Sequence, residues 1–416
     1  MSGGEAGGGD PRRQASRRRV IAALREAGPL SRAELARRTA LSRATISSIV
    51  AELRDAALVV EGDRPADGER DARGRPASVV RLDPTAGAAL GIDFGKRHVR
   101  VALADLGHQV LAERTAEIDS DHPAEEGMAL AVTLVDDVLA EGGVEASAVV
   151  GVGMGLPGPV NAASGRLGSS TILPGWVGVE AHEAMSRRLG LEVQVDNDAN
   201  LGALAEWTWG AARGCANAAY LKVATGIGAG LIVDGRPFRG AGGTAGEIGH
   251  TIVDPAGPVC RCGNRGCLET LVGGPALLAL LEPALGPVTM REVLERAVAG
   301  DQACRRVIAD AGTAIGGAAA NLCNLFNPER IVVGGDLGAA GELLLHPLRD
   351  ALARAAIPSA ASDVDVVAGV LGERAEVLGA IALVLRGHGG ATNGAQDLEP
   401  ASAGASSRRE RMSSLR

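Results

Sequence analysis

The stretch "LGIDFGKRHVRVALADL", Leu90 to Leu106, decides how this chain is read. Two apolar runs flank a short turn, Gly95-Lys96-Arg97, and Asp93 stands at its mouth. The pattern predicts a β-hairpin. A carboxylate beside such a turn is the plan of a phosphate-binding enzyme, whose turn needs small residues so that backbone N–H groups can reach an anion. Lys96 and Arg97 are large and cationic instead. The stretch therefore allows two readings: a chain that handles ATP, or a scaffold kept without the chemistry.

Outward from the hairpin, apolar strands, Gly-rich turns and Ala-rich helices alternate from Ala88 onward, which predicts an α/β body. The 416 residues are too many for one typical core and predict two or three domains. Aromatic residues make up only 2%, so the core must be built from Ala, Val, Leu, Ile and close Gly packing. No run of about 18 uncharged apolar residues occurs, so no membrane span is expected. The N-terminus lacks an apolar secretory core, and the expected compartment is cytoplasmic, with reduced thiols.

Charge is divided unevenly. Residues 1–82 carry a net +5, and the remainder carries −13. A basic head on an acidic body predicts a nucleic-acid-binding module joined to a part that avoids nucleic acid. Residues 1–14 are Gly-rich and expected to be disordered, as is the tail, 387–416. Between them, 15–82 reads as the head and 88–386 as the body.

The head shows three short helical patterns. The first ends at Gly28-Pro29. The second starts at Ser31, with Glu34 completing a capping box. The third starts at Ser42, and Ile46, Ile49, Val50 and Leu53 recur at helical spacing. The outer face of this third helix offers Ser42, Arg43, Thr45, Ser47 and Ser48, side chains able to reach base edges or phosphates. Two strands follow, with "RGRP" between them. Arg73 and Arg75 of this finger suit a minor groove. The competing reading is a three-helix protein-interaction domain, but spacing, polar helix and wing together favour operator DNA. The order of elements resembles the winged helix-turn-helix of bacterial regulators.

Three of the six cysteines lie in "CRCGNRGC": Cys260, Cys262 and Cys267. Cys260 and Cys262 are too close to bridge each other comfortably. Gly263 and Gly266 allow a tight loop that turns three thiolates toward one point. A tetrahedral zinc needs a fourth ligand, and His250 lies ten positions upstream. Such a site has no open position and is structural. Asn197-Asp198 follows the strand "LEVQV", where a carboxylate opening on a cleft suits a general base. The alternative for Asp198 is an ordinary helix N-cap. "ATGIGAG", Ala224 to Gly230, is a Gly-rich turn that can cradle phosphate, with Thr225 as an added donor.

The series "GIDFG" (91–95), "GVGMGLPGPVNAASGRL" (151–167), "VDNDANLGALAEWTWGAARG" (195–214), "LKVATGIGAGLIVDG" (221–235), "GTAGEIGHTIVDPAGPVCRCGNRGCLETLVG" (243–273) and "NLFNPERIVVGGDLG" (324–338) closely resembles the ROK family of repressors, open reading frames and kinases. The resemblance covers about residues 15 to 385. It implies two actin-like, sugar-kinase lobes around a ligand cleft. It places a structural zinc on His250, Cys260, Cys262 and Cys267. It implies sugar contacts from Asn197, Asp198, Glu247, His250 and Glu269, with Asp198 the catalytic base in family kinases. It assigns nucleotide phosphates to Asp93, Gly95, Thr225, Gly226 and Gly228.

Two departures matter. Family kinases carry Asp-x-Gly-Gly-Thr where this chain has Asp93-Phe94-Gly95-Lys96-Arg97. They also carry an Asn that contacts sugar where Ile172 stands. Phosphoryl transfer rests on positioning and charge stabilisation, so lost donors are costly. The expected function is a sugar- or sugar-phosphate-responsive transcription regulator, a repressor, acting as a homodimer or homotetramer on a palindromic operator. The alternative is an ATP- and Mg2+-dependent sugar kinase with a fused DNA-binding head. Lys96 and Arg97 are either partners for an effector phosphate or solvated turn residues.

Overall fold

Helix α1 (Pro11–Ala27) ends where Gly28 adopts a left-handed φ of 71°. The computed structural model describes residues 11–56, 58–63, 78–83, 86–120, 122–161, 164–168 and 172–388. After β1 (Leu30–Ser31), α2 (Arg32–Thr39) opens with the full Ser31–Glu34 capping box. The third helix, α3 (Arg43–Asp55), is capped by Ser42, whose Oγ accepts from Thr45 N at 3.1 Å. Strands β2 (Val59–Asp63) and β3 (Ser78–Leu82) form the wing, and β1 joins them in a three-stranded sheet of order β1-β3-β2. The buried face of α3 is Ile46, Ile49, Val50 and Leu53, which pack with Val20, Leu24 and Leu35 of the other two helices.

Helix α1 begins at Pro11, inside the stretch 1–14 expected to lack structure. Proline is favoured at a first helical position. Arg13 on this early turn pairs with Glu52 and donates to Ser48 Oγ at 2.9 Å, tying the helix start to α3. Residues 1–10, the finger that carries Arg73 and Arg75, and the tail 389–416 lie outside the described residues.

The body contains two sheets of the same plan. The first uses β4 (Ala88–Phe94), β5 (His98–Asp105), β6 (Val110–Glu117), then α4 (Ala124–Gly142), β7 (Val149–Leu156), α5 (Ala181–Leu189) and β8 (Val193–Asn197). Helix α6 (Asp198–Thr208) leads to the second: β9 (Ala218–Val223), β10 (Ile227–Val233) and β11 (Arg236–Phe238). There follow α7 (Glu269–Val272), α8 (Gly274–Leu285), α9 (Met290–Val298) and α10 (Gln302–Phe326). Then come β12 (Arg330–Gly334), α11 (Glu342–Ala355), α12 (Pro358–Asp363), β13 (Asp365–Ala368) and α13 (Ala375–His388).

The sheet orders are β6-β5-β4-β7-β8 and β11-β10-β9-β12-β13. In each, the first three strands are an antiparallel meander and the last two add in parallel. The quoted hairpin is β4–β5, with Asp93 opposite Arg100 and Phe94 opposite Val99. Strands β4, β7, β9 and β12 are apolar apart from a few residues, Asp93 on β4, Tyr220 and Lys222 on β9 and Arg330 on β12, which suits strands covered on both faces.

Two helices join the lobes. Helix α13 lies on the first sheet, α6 on the second, and they cross each other. Glycine makes these approaches possible. A Cβ at Gly153 would sit 2.0 Å from Ala380 O, and one at Gly379 would sit 1.9 Å from Leu201 O. Leu58, between α3 and β2, packs both on the head's core and on the cluster containing Leu378 and Leu385 of α13. The head therefore packs on the hydrophobic cluster that α13 shares with β4, β5 and α6. No single helix among the described residues is long and apolar enough to cross a membrane.

This packing predicts opposite outcomes for two glycines. Gly379→Ala forces backbone apart at the crossing and should cost about 3 kcal/mol or more. Gly317→Ala, mid-helix with nothing within 4 Å of its added Cβ, should be neutral or gain about 0.5–1 kcal/mol. Urea denaturation of both variants checks the pair; equal behaviour would remove the argument from close approach.

Candidate functional site

A cleft of about 430 Å³ opens between the two sheets. The first hairpin contributes Asp93 and Gly95. The end of β8 and the head of α6 contribute Asn197 and Asp198, and the second hairpin adds Thr225, Gly226 and Gly228. Glu247, His250 and Glu269 close it from the loop after β11 and the start of α7. Every body residue expected to contact sugar or nucleotide thus lines one cavity, while Cys260, Cys262 and Cys267 lie outside its lining. Ile172 lines it too, placing an apolar side chain among polyol-sized polar groups. Lys96 is half-buried and Arg97 exposed at the same cavity.

Several of these side chains are already engaged. Asn197 Oδ1 accepts from Ala199 N at 2.9 Å and Asn200 N at 3.2 Å, and its Nδ2 donates to Gly158 O at 2.8 Å. It is the N-cap of α6. Asp198 Oδ1 accepts from Ala199 N at 2.8 Å, while its Oδ2 accepts from Lys222 Nζ at 2.9 Å. Lys222 also reaches Glu376 Oε1 at 3.2 Å. Burial would lower the Lys222 pKa, but the carboxylates of Asp198 and Glu376 outweigh it and hold it well above the ordinary lysine value.

At the first hairpin, Asp93 is 2% exposed and His98 Nε2 lies 2.9 Å from its Oδ2. Burial would raise the Asp93 pKa; the His98 contact prevails and lowers it. Burial likewise opposes the His98 charge, and Asp93 prevails and raises that pKa. The His98 ring covers Gly95, where a Cβ would meet its Cε1 at 2.1 Å. Gly95 N donates within the turn, to His98 O at 2.9 Å.

The second turn is closed in another way. Glu269 Oε2 accepts from Ile227 N at 3.3 Å, and a Cβ at Gly226 would lie 2.4 Å from that oxygen. Arg261 Nε donates to Glu269 Oε1 at 2.9 Å. Arg261 stands between two cysteines, so the cysteine loop is tied to the Gly-rich turn through one carboxylate. Glu247 has its pKa raised to about 7, by burial first and then by the nearby Asp198 and Glu269 carboxylates.

The four expected metal ligands come together. One donor atom from each of His250, Cys260, Cys262 and Cys267 lies within 4.8 Å of every other. Cys262 Sγ and Cys267 Sγ are 3.6 Å apart, and Cys260 Sγ is 3.5 Å from His250 Nδ1. Bond lengths of about 2.3 Å to sulfur and 2.05 Å to nitrogen put tetrahedral edges at about 3.8 Å and 3.5 Å. The donor set and spacing fit a tetrahedral cation. The other histidine nitrogen, Nε2, faces Glu247 Oε2 at 3.9 Å, so one ring borders both the cysteine cluster and the cleft.

In the head, Arg43 and Ser48 are exposed on α3, and Thr45 and Ser47 are partly so. Ser42 Oγ and Thr45 Oγ1 are 2.8 Å apart, joined to each other at the cap.

Sequence reasoning missed Lys222, His98, Glu376 and Arg261. A signal existed for Lys222: it is the one charged side chain in "AAYLKV", a strand otherwise apolar. Glu376 sits in the first turn of α13, where a carboxylate reads as ordinary helix-dipole complementarity.

A winged helix-turn-helix carried on a two-lobed sugar-kinase fold, with a Cys3His cluster beside the cleft, defines the class. Residues 89–387 match the ROK family and residues 14–68 the MarR family. The chain belongs to the ROK family and has the make-up of its transcriptional regulators, with a MarR-like N-terminal helix-turn-helix. It is 30% identical over 371 residues to the xylose repressor of Caldicellulosiruptor bescii, covering 86% of this chain and 92% of that one. It is 30% identical over 404 residues to the DNA-binding transcriptional dual regulator NagC of Escherichia coli, covering 92% and 96%. The crystal structure of a ROK family transcriptional regulator, a homologue of the E. coli MLC protein, superposes with a TM-score of 0.75 at 28% identity, covering 92% of this chain and 98% of that one. A ROK family glucokinase from Streptomyces griseus, solved with glucose and AMPPNP, gives 0.64 at 28%, covering 71% and 99%.

Glu376 yields a pH prediction. It is 4% exposed and its pKa is raised to about 7, by burial first, partly offset by Lys222. The unfolded chain releases this proton near the ordinary glutamate value of 4.5. Between those values the folded state holds more protons, so stability falls as pH rises through that window. The component is on the order of 3 kcal/mol at most. Urea unfolding at pH 5 and pH 8 should show a smaller pH difference in Glu376→Gln than in the parent chain. An unchanged difference would show that Glu376 does not titrate there.

Proposed function

We propose that this chain is a sequence-specific DNA-binding repressor controlled by a sugar or sugar derivative bound in the cleft. The observation that carries the reading is coverage. Repressors and the solved regulator align with head and body together, whereas the glucokinase aligns with 71% of the chain. In this reading Arg43, Thr45, Ser47 and Ser48 of α3 face the major groove, Ser42 anchors the helix at a phosphate, and Arg73 and Arg75 enter a minor groove. A homodimer or homotetramer matches an inverted-repeat operator. Asn197, Asp198, Glu247, His250 and Glu269 surround the effector. Relatives named for xylose and N-acetylglucosamine make these two sugars the first candidates. Lys96 and Arg97, at the cavity, suit a phosphate if the effector carries one.

The effector acts through its different affinity for two lobe arrangements. The cluster that includes α13 and Ala205 of α6 also receives Leu58 of the head, which gives a route from the crossing to the head. Zinc on His250, Cys260, Cys262 and Cys267 serves this structurally. It fixes the loop that carries Arg261 and hence the Glu269 carboxylate at the cleft wall. The alternative, an ATP-dependent sugar kinase using Asp198 as base, conflicts with the Lys222 contact on that carboxylate.

Fluorescence anisotropy with genomic fragments should find an inverted-repeat site. Xylose, glucose, N-acetylglucosamine or one of their phosphates should release it and raise the melting temperature. Arg43→Ala should weaken specific binding by about 1–3 kcal/mol. Absence of any specific site under every ligand condition would overturn the reading. Purified chain should carry one zinc, and Cys260→Ser or Cys262→Ser should lose it. Full occupancy in either variant would refute the ligand set.

A further inference from the structure

Phosphoryl transfer from a nucleotide needs a divalent cation on carboxylate oxygens, backbone donors for the phosphates and an unengaged base. The cleft has the carboxylates. Asp93, Asp198 and Glu376 converge on it, and Asp336 borders it. Asp93 Oδ1 is buried and has no hydrogen-bond partner. A cluster of this charge, in a largely buried setting, calls for a cation.

The chain supplies that cation itself. Lys222 Nζ sits 2.9 Å from Asp198 Oδ2 and 3.2 Å from Glu376 Oε1, on a side chain only 17% exposed. A divalent ion bound to the same oxygens would have to share their lone pairs with the ammonium and bear its repulsion. Asp93 Oδ2 is likewise taken by His98. The phosphate positions are filled as well. His98 covers Gly95 in the first turn, and the Glu269 carboxylate accepts Ile227 N in the second. Glu269 is itself held by Arg261. Cation site, base and both turns are each met by a side chain of this protein. The residues present do not fit a magnesium nucleotide.

We propose that Lys222 is a specificity-determining residue that stands in for the divalent cation, so that the cleft receives its polyol without metal or nucleotide. Lys222 also explains how Asp198 can serve recognition without catalysis. With Oδ2 on Lys222 and Oδ1 on Ala199 N, the carboxylate is a fixed acceptor array and not a free base. The inference rests on the sensor reading above but can fail independently of it.

The test uses the full chain with its metal site intact and two probes, Mn2+ alone and Mg2+ with AMP-PNP. Parent protein should show no Mg2+-dependent AMP-PNP binding by calorimetry and no thermal shift from either probe at millimolar concentration. Lys222→Ala opens a hollow among carboxylates and should gain at least about tenfold in Mn2+ affinity. Lys222→Arg keeps the charge and should not gain. Adding Asp198→Asn to Lys222→Ala should abolish the gain, which places the ion in the cleft. Mn2+ affinity in a folded Lys222→Ala no better than in the parent would overturn the proposal. So would Mg2+-dependent nucleotide binding by the parent chain, a measurement that needs no variant to fold. Either outcome leaves operator binding and sugar release untouched, whereas a chain that ignores DNA yet passes these tests would fail only the sensor reading.

Discussion

The body depends on one contact, the crossing of α6 and α13 at Leu201 and Gly379. Each helix is fixed to a different sheet, so this crossing sets how the lobes meet. It holds at backbone distance only because residue 379 has no side chain. Asp198 and Glu376 each stand three residues before the contact point on their own helix. They therefore meet at the cleft, one turn from the crossing, with Lys222 between them. The same geometry that joins the lobes thus forces two carboxylates together. Breaking such a cluster by removing its cation leaves buried charge uncompensated, the costly case for interior ion pairs.

The repeated sheet plan explains why the cluster lies where it does. Asp93 and Lys222 are both the last residue but one of a first strand, β4 and β9. Asp198 and Glu376 lie in the opening turns of the helices after the fifth strand of each repeat. One quartet of equivalent positions therefore carries three acids and one base. Because one of these four positions is a lysine, the cavity contains a cation of its own beside its acids. The His98–Asp93 pair repeats the logic at the other hairpin.

Much of this was legible in the sequence, for identifiable reasons. The strands were readable because short apolar runs such as Ala88–Phe94, bounded by turn residues at both ends, suit a sheet covered on both faces better than a helix. The Ser31–Glu34 capping box fixed the start of α2, and the Cys260, Cys262, Cys267 spacing fixed a point of convergence. What escaped was long-range pairing. Lys222 and Glu376 are 154 positions apart in the chain, and neither spacing nor periodicity links them. The closing of the first turn was read from Lys96 and Arg97, the conspicuous residues. The structure gives that role to His98, the next residue, whose imidazole folds back over Gly95. The small β1 strand was missed because two residues carry no periodic signal.

These contacts also constrain how a signal can leave the cleft. A ligand hydroxyl that competes for Asp198 Oδ2 competes with Lys222, and Lys222 joins Tyr220 in bonding β9 to Glu376 at the head of α13. Weakening one arm of a three-member cluster shifts the balance to the other, from Asp198 toward Glu376. Helix α13 would then feel the change at its first turn, and Leu58 of the DNA-binding head packs on the same hydrophobic cluster as its later turns. Effector and head thus meet through the cluster that α13 shares with β4, β5 and α6. An effector that left the Lys222 contacts unaltered in both lobe arrangements would have no differential affinity through this route and could not switch the head by it.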